Sequence, residues 1–171
     1  YPTTCQAAFN DFLEYVIEVA DSFPNSAIII RLKALSNIDK NLVLRKIYGK
    51  KNIFLSIDYE NFLVSYMLCK EADLIISVPT SLAEESIAYG KKVIFINNLF
   101  PINNISKDTY HPEFYFCIPE NLEEIKVLIN RCFNNDLDIL IKYQTLKKLL
   151  SGSVDFSKPN IISKKLEEIC H

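Results

Sequence analysis

The chain has 171 residues, 49% of them hydrophobic and 23% charged, with a formal net charge of -2. That length supports one core and falls short of two ordinary domains, the charge leaves no electrostatic footprint for nucleic acid, and the apolar runs are too short to span a bilayer. The first residue is Tyr1 and no signal core follows it, so the chain is expected to be the C-terminal part of a longer polypeptide.

Thr3 and Gln6 have capping-box spacing, and Phe9, Phe12, Leu13, Val16, Ile17 and Ala20 then recur at three and four residues, which predicts a helix over about 4–22. Pro24 and Asn25 end it. "AIIIRL" (27–32) is a β-branched run without alternation, the pattern of a strand covered on both faces, and "NIFLS" (52–56), "DLIIS" (73–77) and "KVIFI" (92–96) repeat it. Helical patterns at about 39–48, 59–70 and 81–89 separate these runs. "FYFCI" (114–118) reads as a further short strand, followed by a helix capped by Asn121 with Glu124 three residues on. Two helices, at about 137–150 and 158–170, close the chain across the connection "SGSVDFSKP". The order predicts one α/β domain over 1–171, a Rossmann-like doubly wound parallel sheet with C-terminal helices. Ligands are then expected at the carboxyl ends of the strands.

The chemistry available there is restricted. The five cysteines, Cys5, Cys69, Cys117, Cys132 and Cys170, have no CxxC spacing and sit among apolar residues, the pattern of reduced core thiols in a cytosolic protein. With two histidines, His111 and the terminal His171, neither a histidine-based zinc site nor a Ser-His-Asp triad can be assembled. Three glycines build neither a dinucleotide fingerprint nor a P-loop. What remains is the helix beginning near Thr80 and Ser81, whose free N–H groups and positive dipole end make an anion site at a strand terminus. Ser81 and Glu84 have the spacing of a capping box, which accounts for Glu84. Glu85 lies off the face formed by Ala83 and Ile87, and the residue pattern alone makes it a solvated charge.

The stretch "ADLIISVPTSLAEESIAYGKKVIFIN" resembles the C-terminal donor-binding half of GT-B glycosyltransferases, in particular those of bacterial surface carbohydrate and capsule synthesis. Asp73, Thr80, Ser81, Glu85, Ile87, Ala88, Gly90, Lys91, Val93 and Ile94 carry the likeness, while Ser86 and Lys92 depart from it where alanine and proline are usual. The resemblance implies that Thr80, Ser81 and the helix start hold the donor phosphate and that Glu85 accepts from the ribose hydroxyls. It extends more weakly over about residues 26–133. Within it a basic residue ending the first strand, Arg31 or Lys33, would face the phosphate. The loop Ile57, Asp58 and Tyr59 would hold the base, although Tyr59 also fits the core face of the next helix. Asn97, Asn98 and His111, in the long polar stretch after the fourth strand, are candidates for contact with sugar or acceptor.

On this reading the partners are a nucleotide sugar and an absent N-terminal acceptor domain. No cofactor or metal is called for, no catalytic residue can be assigned, and the fragment alone should turn over poorly. The implied compartment is the cytoplasm, at the inner face of the membrane. The alternatives are a GT-B-like nucleotide-sugar epimerase domain and a non-catalytic flavodoxin-like interaction domain.

Overall fold

The computed structural model describes residues 2–31, 40–56, 61–78, 80–96 and 111–151. In chain order the elements are α1 (Pro2–Ser22), β1 (Ile28–Arg31), α2 (Lys40–Ile47), β2 (Ile53–Ser56), α3 (Phe62–Glu71), β3 (Ile75–Ser77), α4 (Ser81–Ala88), β4 (Val93–Phe95), a 3-10 helix (Pro112–Cys117), α5 (Leu122–Phe133) and α6 (Leu137–Ser151). The protein is thus mixed α/β with short parallel strands. Among the described residues no helix is long and apolar enough to cross a membrane.

Each β-branched run becomes a strand, and each crossover is a helix. β1 lies parallel to β2, with Ile28 opposite Ile53 and Arg31 opposite Ser56. β3 lies parallel to β4, with Ile75 opposite Val93 and Ser77 opposite Phe95. The expectation of one four-stranded sheet is corrected to two separate two-stranded ladders.

Helices α1 and α5 join the two ladders from one side. Leu13 and Ala20 pack with Ile30, Ile53, Val43 and Ile47, while Val19 meets Ile94, Ile96, Ile125 and Ile129. On the other side of β4, Val93 and Phe95 are covered by Ala83 and Ile87 of α4, Phe114 and Cys117 of the 3-10 helix, and Ile139, Tyr143 and Leu146 of α6. The Tyr143 hydroxyl donates to the Val93 carbonyl at 2.6 Å, and burial raises its pKa well above the usual phenol range. β4 is therefore covered on both faces, as expected. β1 and β2 are not: Ile29 and Phe54, opposite one another, are each about half exposed.

The helix expected over about 4–22 forms as Pro2–Ser22. Two further expectations are corrected. The run at 114–118 is not a strand; His111 and Pro112 open a 3-10 turn that buries Phe114 and Cys117, three residues apart on its single eclipsed face. α3 starts at Phe62 rather than 59, because the Asn61 side chain accepts from Leu63 N–H at 3.1 Å and caps it there. The cap at Asn121 forms as expected, accepting from Glu124 N–H at 3.0 Å while Glu124 accepts in return from Glu120 N–H at 2.9 Å. The helix expected at 158–170 lies outside the described residues.

Gly90 ends α4. At φ 92° its N–H reaches the Ile87 carbonyl, and Lys91 N–H reaches the Ser86 carbonyl, which is the paired closure of a Schellman turn. A side chain at that φ is strained, and a Cβ would approach Lys147 Nζ at 3.3 Å. Gly90→Ala is expected to lower stability by about 1–2 kcal/mol in urea unfolding.

The turn between α5 and α6 is held by Arg131, which donates to Asp136 at 3.0 and 3.1 Å and to Asp138 at 2.8 Å. Hydrogen bonding from Arg131 lowers the Asp136 pKa, and Lys142 followed by Arg131 lowers that of Asp138. Lowered folded-state values mean that the stabilisation is complete above the ordinary carboxylate value of 3.8 and is lost as pH falls through the folded-state values. Asp136→Asn should accordingly flatten the acid limb of a stability-versus-pH curve below about pH 4 and leave its shape near neutrality unchanged.

Candidate functional site

The carboxyl ends of β1 and β2 set Arg31 opposite Ser56, and the carboxyl end of β3, at Ser77, leads to the start of α4. Thr80 has extended backbone, φ -148° and ψ 154°, and its hydroxyl accepts from Ala83 N–H at 3.2 Å. The cap of α4 is therefore Thr80. The expected box between Ser81 and Glu84 is not formed, because Ser81 is already the first helical residue. Glu84 is exposed in the first turn and is left with the helix dipole alone, an interaction of about 0.3–1 kcal/mol. Ala83 and Glu84 N–H are turned back onto Thr80, whereas the N–H groups of Ser81 and Leu82 have no acceptor among the described residues.

Ser81 and Glu85 are four residues apart and so share one face of α4. The reading of Glu85 as a fully solvated charge does not hold: it is half-buried, while Ala83, Ser86, Ile87 and Ala88 form the buried face. Its neighbour is Tyr66 on α3. Burial raises the Tyr66 pKa, and the Glu85 carboxylate, near enough to accept from the hydroxyl, raises it further. Nothing in the sequence spacing singled out Tyr66, since only the packing of α3 beside α4 brings the two together.

The two departures from the family pattern are both satisfied locally. The buried Ser86 hydroxyl donates to the Leu82 carbonyl at 2.7 Å and lies against Cys69 of α3. Lys92 donates to Asn135 Oδ1 at 3.0 Å and to the Cys132 carbonyl, joining β4 to the end of α5. Cys69, Cys117 and Cys132 are free thiols, and burial pushes Cys117 up to about 12, which leaves it unreactive near neutrality.

Arg31 is engaged by the protein itself. Its Nε donates to Ser65 Oγ at 3.1 Å, Nη1 to Ser56 Oγ at 2.9 Å and Nη2 to the Asn61 carbonyl at 2.8 Å. The side chain works as a strut, tying the ends of β1 and β2 to the first turn of α3. Arg31→Ala should cost about 1–2 kcal/mol in chemical denaturation, and Arg31→Lys should recover only part of it because an ammonium cannot fork to three acceptors in a plane. His111 is also accounted for structurally: exposed, it accepts at Nδ1 from Glu113 N–H at 3.3 Å and caps the 3-10 helix. Lys33, Asp58, Tyr59, Asn97 and Asn98 lie outside the described residues. Among those described, no group of three or more His, Cys, Asp or Glu side chains is placed to hold a metal ion.

The arrangement that results is a short helix whose first two N–H groups have no acceptor among the described residues, with a half-buried carboxylate one turn further along. Chemically it can take an anion at one end and hydroxyl donors at the other. Comparison with known proteins gives no match, whether to family models, to curated proteins or to solved structures.

Proposed function

We propose that this chain is the nucleotide-sugar-binding domain of a GT-B glycosyltransferase of bacterial surface polysaccharide synthesis. The observation that carries the reading is the single face of α4. The Ser81 and Leu82 N–H groups offer two donors for a phosphate, and Glu85 offers a carboxylate for two ribose hydroxyls about 6 Å along the axis. Thr80 fixes the helix start, so both groups are positioned before ligand arrives.

In this proposal Arg31 supports the site by holding β1, β2 and α3 in place, and any cation directly on the phosphate is supplied elsewhere, with Lys33 the sequence candidate. Donor chemistry at this half is stabilisation of the departing nucleotide by backbone dipoles. Deprotonation of the acceptor hydroxyl belongs to a separate acceptor domain.

Calorimetry and thermal shift against CMP, CDP, UDP and GDP test the reading. One of the four should bind and raise the melting temperature at millimolar concentration; a ligand at 100 times its Kd adds ~2.7 kcal/mol. Absence of binding by all four would remove the proposal.

A further inference from the structure

Among the described residues, α3 is the helix that adds no side chain to the packed core. Every other helix places at least one residue in one of the three buried clusters, and α3 places none. Its described side chains from Leu63 to Glu71 are all at least partly exposed. The sequence supplies the reason: apolar residues run from Phe62 to Cys69 with only Ser65 between them, so they surround the helix instead of forming one stripe that a core can take up.

The strand face beneath is correspondingly open. Ile29 and Arg31 are two apart on β1, as are Phe54 and Ser56 on β2, so all four point to the side on which α3 lies. Ile29 and Phe54 are nevertheless each about half exposed. What fastens α3 is a cation at each end. At its head Arg31 donates to Ser65 Oγ at 3.1 Å and to the Asn61 carbonyl at 2.8 Å, while the same guanidinium holds Ser56 Oγ of β2 at 2.9 Å. At its tail Lys91 donates to the Ala72 carbonyl at 3.0 Å.

We infer that α3 is a latched strap, which detaches as a unit when the Arg31 fork lets go while β4 and its covering helices stay folded. The inference stands apart from the nucleotide-sugar reading. Elements with few buried apolar contacts open at a lower free energy than the core they lie on. A detached helix of 10 residues is too short to persist in water, so detachment melts it and exposes its amides. Opening frees the Arg31 fork at the carboxyl ends of β1 and β2, the side of parallel strands on which α/β proteins take ligands.

The test is native-state hydrogen exchange, read by NMR on the whole chain in low urea. In wild type the amides of Tyr66–Glu71 should share one opening, lower in free energy than that of Ile96 and the interior of α5 and less dependent on urea, because less surface is exposed. Arg31→Ala should speed exchange in α3 about tenfold. Ile129→Val, which trims the core on α5, should speed exchange in β4 and α5 about fivefold and leave α3 unchanged. Amides of α3 that follow the urea dependence of Ile96 would overturn the inference, as would α3 amides that respond to Ile129→Val or ignore Arg31→Ala. Unprotected α3 amides in wild type would overturn it too, since no latch would then exist.

Discussion

Phe95→Ala is expected to destabilise the protein by about 3–5 kcal/mol, the largest effect of any single truncation proposed here. Phe95 is fully buried in β4 and heads the completely enclosed side chains by volume among the described residues. Its ring meets Phe114 with centroids 6.1 Å apart at 53°, and it shares its cluster with Ile87, Tyr143 and Leu146 from α4 and α6. Removal of the ring loses the transfer free energy of its atoms and leaves a cavity among the side chains of its cluster. Against a typical total of roughly 5–15 kcal/mol, that loss brings the fold close to its limit. Urea unfolding reads it directly; a cost under about 1 kcal/mol would contradict the claim that β4 is the centre of the packed structure.

Glu85→Ala is the largest effect expected on binding. Loss of a charged acceptor for two hydroxyls should weaken the nucleotide by about 1.5–3 kcal/mol, tenfold or more. Stability without ligand should change little, because Glu85 is only half-buried and Tyr66 can turn its hydroxyl to water. Thr80→Ala should behave differently: loss of the cap costs about 1 kcal/mol of stability and loosens the helix start on which the phosphate donors depend.

Much of this architecture can be read from the chain because each strand is a bounded β-branched run and each crossover helix has an apolar stripe. The parallel direction of the strands follows from that alone, whereas their division into two ladders instead of one sheet does not. What could not be read depends on partners distant in sequence. Whether Arg31 faces a ligand or the protein is decided by Ser56 and Ser65, 25 and 34 residues away. Glu85 reads as solvated until α3 brings Tyr66 beside it. The false strand at 114–118 arose from an aromatic run whose apolar residues suit either structure, and the deciding signal was Pro112 at the first helical position after a His111 cap. The choice of cap at α4 turned on two adjacent hydroxyl residues, where only the extended backbone at Thr80 separates them.

The most direct test of the central claim compares a ribonucleotide with its 2′,3′-dideoxy form by calorimetry on the wild type and on Glu85→Ala. Wild type should prefer the ribose form by tenfold or so, and Glu85→Ala should bind both forms with about equal affinity, close to that of wild type for the dideoxy form. If Glu85→Ala still discriminated ribose from dideoxyribose as strongly as wild type, Glu85 would not be a ribose ligand and the proposed donor site on α4 would be wrong.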